Sequence, residues 1–276
     1  MKIMELQDIK APGAGLFYHL TDAQLRSRQR PEEGVFIAEG PKVVHTALDA
    51  GCVPLSVLMR RKFTADEQGL TILRRCGNAP VYTADDAVLE ELTGFKLQRS
   101  WVLCAMRRPP ARKAEEIVTG VRRVAVLEGI TEPSNVGAIF RSAAALGADA
   151  VLLTPDCCDP LHRRAVRVCM GSVFMVPWAR TGADHGFSLL RDAGFTTVGL
   201  ALQPDCLCLD DPRLSACERL AIYLGTEDTG LTENTIRQCD HIARIPMAAG
   251  IDSLNVAAAA AIAFWQLRIK QPDLKY

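Results

Sequence analysis

The chain has 276 residues, 49% hydrophobic and 23% charged, which suits a packed protein of one large or two modest domains, so disorder is not the default. Its 32 basic and 32 acidic residues cancel, which argues against binding polyanions with the whole surface but leaves room for local clusters. The opening MKIMELQDIK has no uninterrupted apolar core, and the longest apolar stretch, Val256 to Trp265, falls far short of the roughly 20 residues of a membrane span.

In chain order, VFIAEG (Val35 to Gly40) reads as a strand, Pro41 to Gly51 as a helix opened by proline and closed by glycine, and Val53 to Met59 as a second strand. APVYTAD, AVLEELTG and SWVLCAMR continue as strand, helix and strand, completing a small α/β unit. At RRPPARKAEE the two prolines and mixed charges make a linker. The boundaries that follow are 1–108 for a first domain, 109–120 for the linker and 121–276 for a second domain.

Downstream, Val124 to Ile130, NVGAIFRSAAALGA and Ala150 to Pro155 form a βαβ unit. Then come a short helix around Arg163 to Met170, strand VFMVPW, helix HGFSLLRDAG, strands FTTVGLAL and LAIYLGTE, helix TENTIRQCD, strand HIARIPM and a helix from Ser253 to Ile269. The alternation predicts a mostly parallel sheet with helices on both faces, whose functional groups sit in loops at the carboxyl ends of strands.

Those loops hold no GxGxxG, GxxxxGK[ST] or GxSxG pattern, so the common nucleotide folds and a serine triad are disfavoured. Cys157, Cys158 and His162 lack a second ligand pair at zinc spacing, so no metal is expected. Ten cysteines with no signal segment fit a reducing compartment, with the cytoplasm as the expected location. Arginine groups recur, among them Arg60, Arg61 and Lys62, and Arg163, Arg164 and Arg167. Each is a solvated face or part of a phosphate-binding patch.

Three loops carry chemistry. In EPSNVGAIFRSAAALGAD, Ser134 or Asn135 is placed to cap a helix, and Arg141 follows Asn135 by six residues. In LGTEDTGL, Glu227 lies between two glycines at a strand end, suited to fixing an arginine or heading the next helix. In IPMAAGIDSLNVAAAA, Ser253, Leu254 and Asn255 open the last helix.

Together these loops resemble the signature motifs of the SpoU (TrmH-like) RNA ribose 2′-O-methyltransferases of the SPOUT superfamily. Asn135, Gly137 and Arg141 match the first motif; Gly225, Glu227, Gly230 and Leu231 the second; Ile245 to Met247 with Ser253 to Val256 the third. The resemblance covers Val121 to Gln271 and extends more weakly to Val35 to Gly51, similar to the family's substrate-binding module of L30e-like α/β fold. One departure is Cys169 in RVCMGS, where family members often carry serine.

The resemblance implies an α/β catalytic domain tied in a deep trefoil knot, a homodimer, and S-adenosylmethionine held largely by main-chain groups. By position the cofactor loops would be Ala201, Leu202, Gly225, Ile245, Met247 and Leu254. It implies ribose 2′-hydroxyl methylation in structured RNA, with Asn135, Arg141, Glu227, Ser253 and Asn255 in the active site. A guanidinium is effectively always protonated, so Arg141 reads as a clamp on the 2′-oxygen and adjacent phosphate, not as the base the family proposal makes it. Glu227 would orient Arg141 or a neighbour. Residues 1–108 as an RNA-binding module favour ribosomal over transfer RNA; a catalytically silent RNA-binding or assembly protein on the same fold is the rival. A Rossmann-type methyltransferase would need a glycine-rich loop that LEGITEP does not supply.

Overall fold

In the computed structural model, residues 3–8, 15–18, 34–93, 101–248 and 253–269 are described. The chain divides into two compact units, Met1–Pro110 with Leu161–Phe174, and Ala111–Pro160 with Met175–Tyr276.

The first unit is built on a sheet of β1 (Ile3–Glu5), β2 (Val35–Glu39), β3 (Pro54–Arg60), β4 (Val81–Ala84) and β5 (Val102–Arg107), in the order β1-β4-β3-β5-β2. Strands β1, β4 and β3 are parallel, while β5 runs antiparallel to both β3 and β2. Helix α1 spans Gly15–Tyr18, α2 Pro41–Asp49, α3 Glu67–Arg75 and α4 Asp86–Thr93. Proline at the first turn of α2 loses no hydrogen bond, because that N–H has no partner inside a helix. The α3 helix, absent from the sequence reading, is started by Asp66, whose carboxylate accepts from Gln68 N at 3.0 Å.

A late segment completes this unit. Helix α5 is Arg163–Val168, with a 3-10 turn at Ser172–Phe174, and it packs on β2. Arg163 Nε lies 3.1 Å from Glu39 Oε2 and Arg167 3.5 Å from Oε1. The Phe36 and Phe174 rings sit 5.2 Å apart, centre to centre. Cys169 is buried there and donates its S–H to Val166 O at 3.2 Å, as a serine hydroxyl can.

The segment 161–174 also explains a correction: VFMVPW is not a strand. Val173 and Phe174 turn into the first unit's core, Met175 is exposed, and the strand starts only after Pro177, whose carbonyl accepts from Val151 N.

The second unit carries β6 (Arg123–Leu127), β7 (Ala150–Leu153), β8 (Trp178–Arg180), β9 (Thr196–Leu200), β10 (Leu207–Cys208), β11 (Leu220–Leu224) and β12 (His241–Arg244). Their order is β10-β12-β9-β11-β6-β7-β8 and every pairing is parallel. Each residue of β6, β7 and β11 is buried, as expected for continuous apolar strands covered on both faces.

The helices of this unit are α6 (Ala114–Val118), α7 (Pro133–Leu146), α8 (Phe187–Asp192), α9 (Pro212–Ala216), α10 (Glu233–Gln238) and α11 (Val256–Gln266). On one face of the sheet, α7 packs against α11. Their buried positions, Val136, Ile139, Phe140 and Ala143 on one and Val256, Ala260, Ala263 and Phe264 on the other, recur at helical spacing. Small residues let the two axes come close, so the alanine run serves packing within the chain along this stripe. At the far end Arg123 is buried and donates to Leu267 O at 2.7 Å and Glu218 O at 2.9 Å, fixing where α11 stops.

Candidate active site

Three strand-end loops of the second unit converge. The first follows β6 and leads into α7. Its cap is neither Ser134 nor Asn135: Pro133 takes the first helical position and the Glu132 carboxylate accepts from Ser134 N at 3.3 Å. This frees the Asn135 side chain for another partner. Asn135 is buried, and its Oδ1 accepts from Asn255 Nδ2 at 3.0 Å.

Asn255 is the cap of α11, which therefore begins at Val256 and not at Ser253. Its Oδ1 accepts from Ala257 N at 3.0 Å and Ala258 N at 3.4 Å, while Nδ2 donates to both Asn135 and Glu227 Oε1. Because its oxygen faces backbone donors and its nitrogen faces two acceptors, the amide has one orientation that fits. Glu227 thus orients Asn255, not Arg141. Arg141 lies six residues beyond Asn135, about 9 Å further along α7; it is exposed and has no side-chain partner among the described residues.

The loop holding Glu227 is tight. Thr226 and Gly230 exchange two backbone hydrogen bonds of 3.1 Å, and Gly230 turns the chain with φ +69°. At Gly225 a Cβ would lie 2.2 Å from the Gly230 carbonyl carbon and 2.3 Å from Leu231 N, so the loop closes only on a residue with no side chain.

Beneath it lies a group that sequence reading missed. Glu128, just past β6, is buried and its Oε1 accepts from Thr232 N at 2.9 Å, fixing the loop's exit. Its Oε2 lies 3.5 Å from His185 Nδ1, and Tyr223 OH donates to the His185 carbonyl at 3.2 Å. Burial pushes the Tyr223 hydroxyl far above the usual phenol range, so it stays a neutral donor. An acidic residue ending the apolar run VAVLE was the available signal.

Beside these loops is a cavity of about 450 Å³, within the range of small-molecule sites. Ala201, Leu202, Ile245, Met247 and Leu254 line it, together with Glu227 and Ser253. Gly225 shapes the wall without lining it, and Asn135, Arg141 and Asn255 lie outside the lining. Sequence reading did not single out Gln203, Asp228 or Arg244, which also line it. Among the described residues no group of three His, Cys, Asp or Glu is placed to hold a metal ion, and no helix is long and apolar enough to cross a membrane.

Residues 122–265 match the SpoU rRNA Methylase family. The uncharacterized tRNA/rRNA methyltransferase of Mycobacterium bovis is 39% identical over 96% of this chain and 92% of its own length. The 23S rRNA (guanosine-2′-O-)-methyltransferase RlmB of Pseudomonas aeruginosa is 28% identical over 93% of this chain and 96% of its own. The AdoMet-bound rRNA methyltransferase of Sinorhizobium meliloti superposes with a TM-score of 0.79 at 25% identity, covering 96% of this chain and 97% of that one. Parallel α/β sheet, converging loops and relatives agree, and the chain belongs to the SpoU rRNA Methylase family.

Proposed function

We propose that this protein transfers the methyl group of S-adenosylmethionine to a ribose 2′-hydroxyl in structured RNA, ribosomal RNA in preference to transfer RNA. The observation that carries the reading is the Asn135–Asn255–Glu227 network, which gathers one residue from each of the three motif loops beside a cavity of cofactor size. The cavity suits the cofactor: Ala201, Leu202, Ile245, Met247 and Leu254 bring small or apolar side chains and accessible main chain, and Glu227 and Asp228 bring negative charge toward a cationic ligand. When bound, the sulfonium supplies an activated methyl group.

The chain's own residues supply position. A ribose hydroxyl is a weak nucleophile, so its oxygen must be held in line with the methyl group, and its proton needs an acceptor. Arg141, exposed and with no side-chain partner among the described residues, is the clamp on that oxygen and the adjacent phosphate; the proton passes to phosphate or water. Asn135 keeps its side-chain N–H groups for ribose or backbone, while Asn255 locks Asn135 and Glu227 in place. Ser253 shapes the cavity wall.

In this reading the L30e-like module of residues 1–108, completed by residues 161–174, chooses the RNA, residues 121–276 carry the knotted catalytic domain, and the enzyme works in the cytoplasm as a homodimer. The segment 109–120 is not a bare linker, because its helix α6 buries Ile117 and Val118 in the second unit's core. Half-exposed Trp265 and exposed Ile262 on α11 suit such pairing. The test is to map 2′-O-methyl positions in total RNA from cells with and without the gene. A single ribosomal RNA position that loses its methyl group supports the reading. A transfer RNA position reassigns the substrate, and an unchanged map from a protein that still binds RNA makes it an assembly protein.

A further inference from the structure

Charge in the cavity is one-sided. Among the described residues that line it, Glu227 and Asp228 are acidic and Arg244 is the one cation. Other arginines of this unit are committed to the fold. Arg123 donates to the carbonyls of Leu267 and Glu218, Arg180 to those of Thr154 and Cys157, and Arg219 to those of Val121 and Val118; Arg213 pairs with Asp211. The Arg244 guanidinium has no hydrogen bond or ion pair among the described residues and is exposed.

Its backbone, by contrast, is pinned. Arg244 ends β12 paired with Cys208 of β10, and its carbonyl accepts from Leu209 N at 2.9 Å. Side chains alternate along a strand, so Arg244 shares a face with Ile242. Ile242 and Leu231 meet over Gly199, and Leu231 lines the cavity. The residue therefore stands at the carboxyl end of its strand, on the cavity side, where ligands of parallel sheets lie.

S-adenosylmethionine brings one anionic group, the carboxylate of its methionyl part. Set among Glu227 and Asp228 without a cation it would meet like charge, whereas a planar guanidinium fits a carboxylate with two parallel N–H donors. We infer that Arg244 anchors the cofactor's carboxylate; the inference rests on the cofactor reading above.

The experiment titrates two ligands into the full-length protein by calorimetry: S-adenosylhomocysteine, which has the amino-acid part, and 5′-methylthioadenosine, which lacks it. Arg244→Met is expected to weaken S-adenosylhomocysteine about 10- to 100-fold, the range for a charged hydrogen bond, and 5′-methylthioadenosine less than about twofold. Arg244→Lys, a cation without the fork, should restore part of the loss. Equal weakening of both ligands would overturn the assignment, placing Arg244 at the adenosine end or in the loop's fold. Unchanged binding of both, with weaker RNA binding instead, would make it a phosphate contact and also overturn it. If the unaltered protein binds neither nucleoside, the cofactor reading fails first and the anchor with it.

Discussion

Asn255 Nδ2 donates to Asn135 Oδ1 at 3.0 Å, joining the first turns of two helices that lie 120 residues apart in the chain. The same amide oxygen caps α11, so one side chain both starts a helix and holds the site together. The two duties separate by substitution. Asn255→Ala removes both and should cost about 1 kcal/mol of stability for the lost cap, beyond the cost of the unpaired Asn135 oxygen, together with methyl transfer. Asn255→Asp keeps two acceptor oxygens for the Ala257 and Ala258 amides but has no donor for Asn135 and sets a carboxylate against Glu227. Thermal unfolding of the Asp variant should show the cap retained but about 1–3 kcal/mol lost through the Asn135 oxygen left without its donor, while single-turnover transfer is lost. Transfer retained by the Asp variant would show that the network is only a cap.

Arg141 stands apart from that network, exposed and with no side-chain partner among the described residues. Arg141→Ala should abolish transfer and leave S-adenosylhomocysteine binding within about twofold, because the cavity lining does not include it. Arg141→Lys should recover little, since an ammonium cannot span an oxygen and a phosphate with a fork. Equal loss of binding and transfer in the Ala variant would move Arg141 into the cofactor site.

Gly225→Ala tests the tight loop directly. The added carbon would sit 2.2 Å from the Gly230 carbonyl carbon, closer than any real contact, so the turn that carries Glu227 must open. The expected cost is about 1–3 kcal/mol of stability, the range for a strained or overpacked site, with weaker cofactor binding. A variant with unaltered melting temperature and affinity would mean that the loop relaxes freely.

Two residues of the basic cluster Arg60, Arg61 and Lys62 are already engaged, and Lys62 is exposed. Arg60 grips Asp86 with two hydrogen bonds, and Arg61 pairs with Glu5 and lies 3.2 Å from Asp85. The Arg60 guanidinium holds the Asp86 carboxyl below its usual range, and that carboxylate in turn raises the arginine. Changing all three residues to glutamine should therefore flatten the dependence of log RNA affinity on log salt by less than about one, against the two to three expected if all three touched phosphate. A larger change would mean that RNA displaces the acidic partners. The carboxylate side has a sign of its own: a depressed Asp86 adds stability above its unfolded pKa of about 3.9 and loses it as pH falls.

Much of the second unit was legible because parallel strands buried on both faces read as unbroken apolar runs, and because Asn135, Glu227 and Asn255 stand out at strand ends. What did not read was non-local. Asp85, Asp86 and Glu5 are ordinary acids until the sheet brings them to Arg60 and Arg61. Glu128 meets the Thr232 amide 104 residues away, and no spacing rule links them. Asn135 looked like a cap because its type favours caps, yet Pro133 and Glu132 took that place. VFMVPW has strand composition throughout, but Phe174 finds its partner in Phe36 and the segment turns away.

That detour of residues 161–174 has a consequence for how the protein is made. A polypeptide leaves the ribosome amino end first, and domains generally fold as they emerge. The first sheet is complete in sequence by Arg107, yet Glu39 lacks Arg163 and Arg167, and Phe36 lacks Phe174, until a further stretch has been synthesised. By then β6, α7 and β7 have also appeared. The nascent first unit must therefore wait with Phe36 uncovered, and its last helix arrives only after the first strands of the second unit have been synthesised.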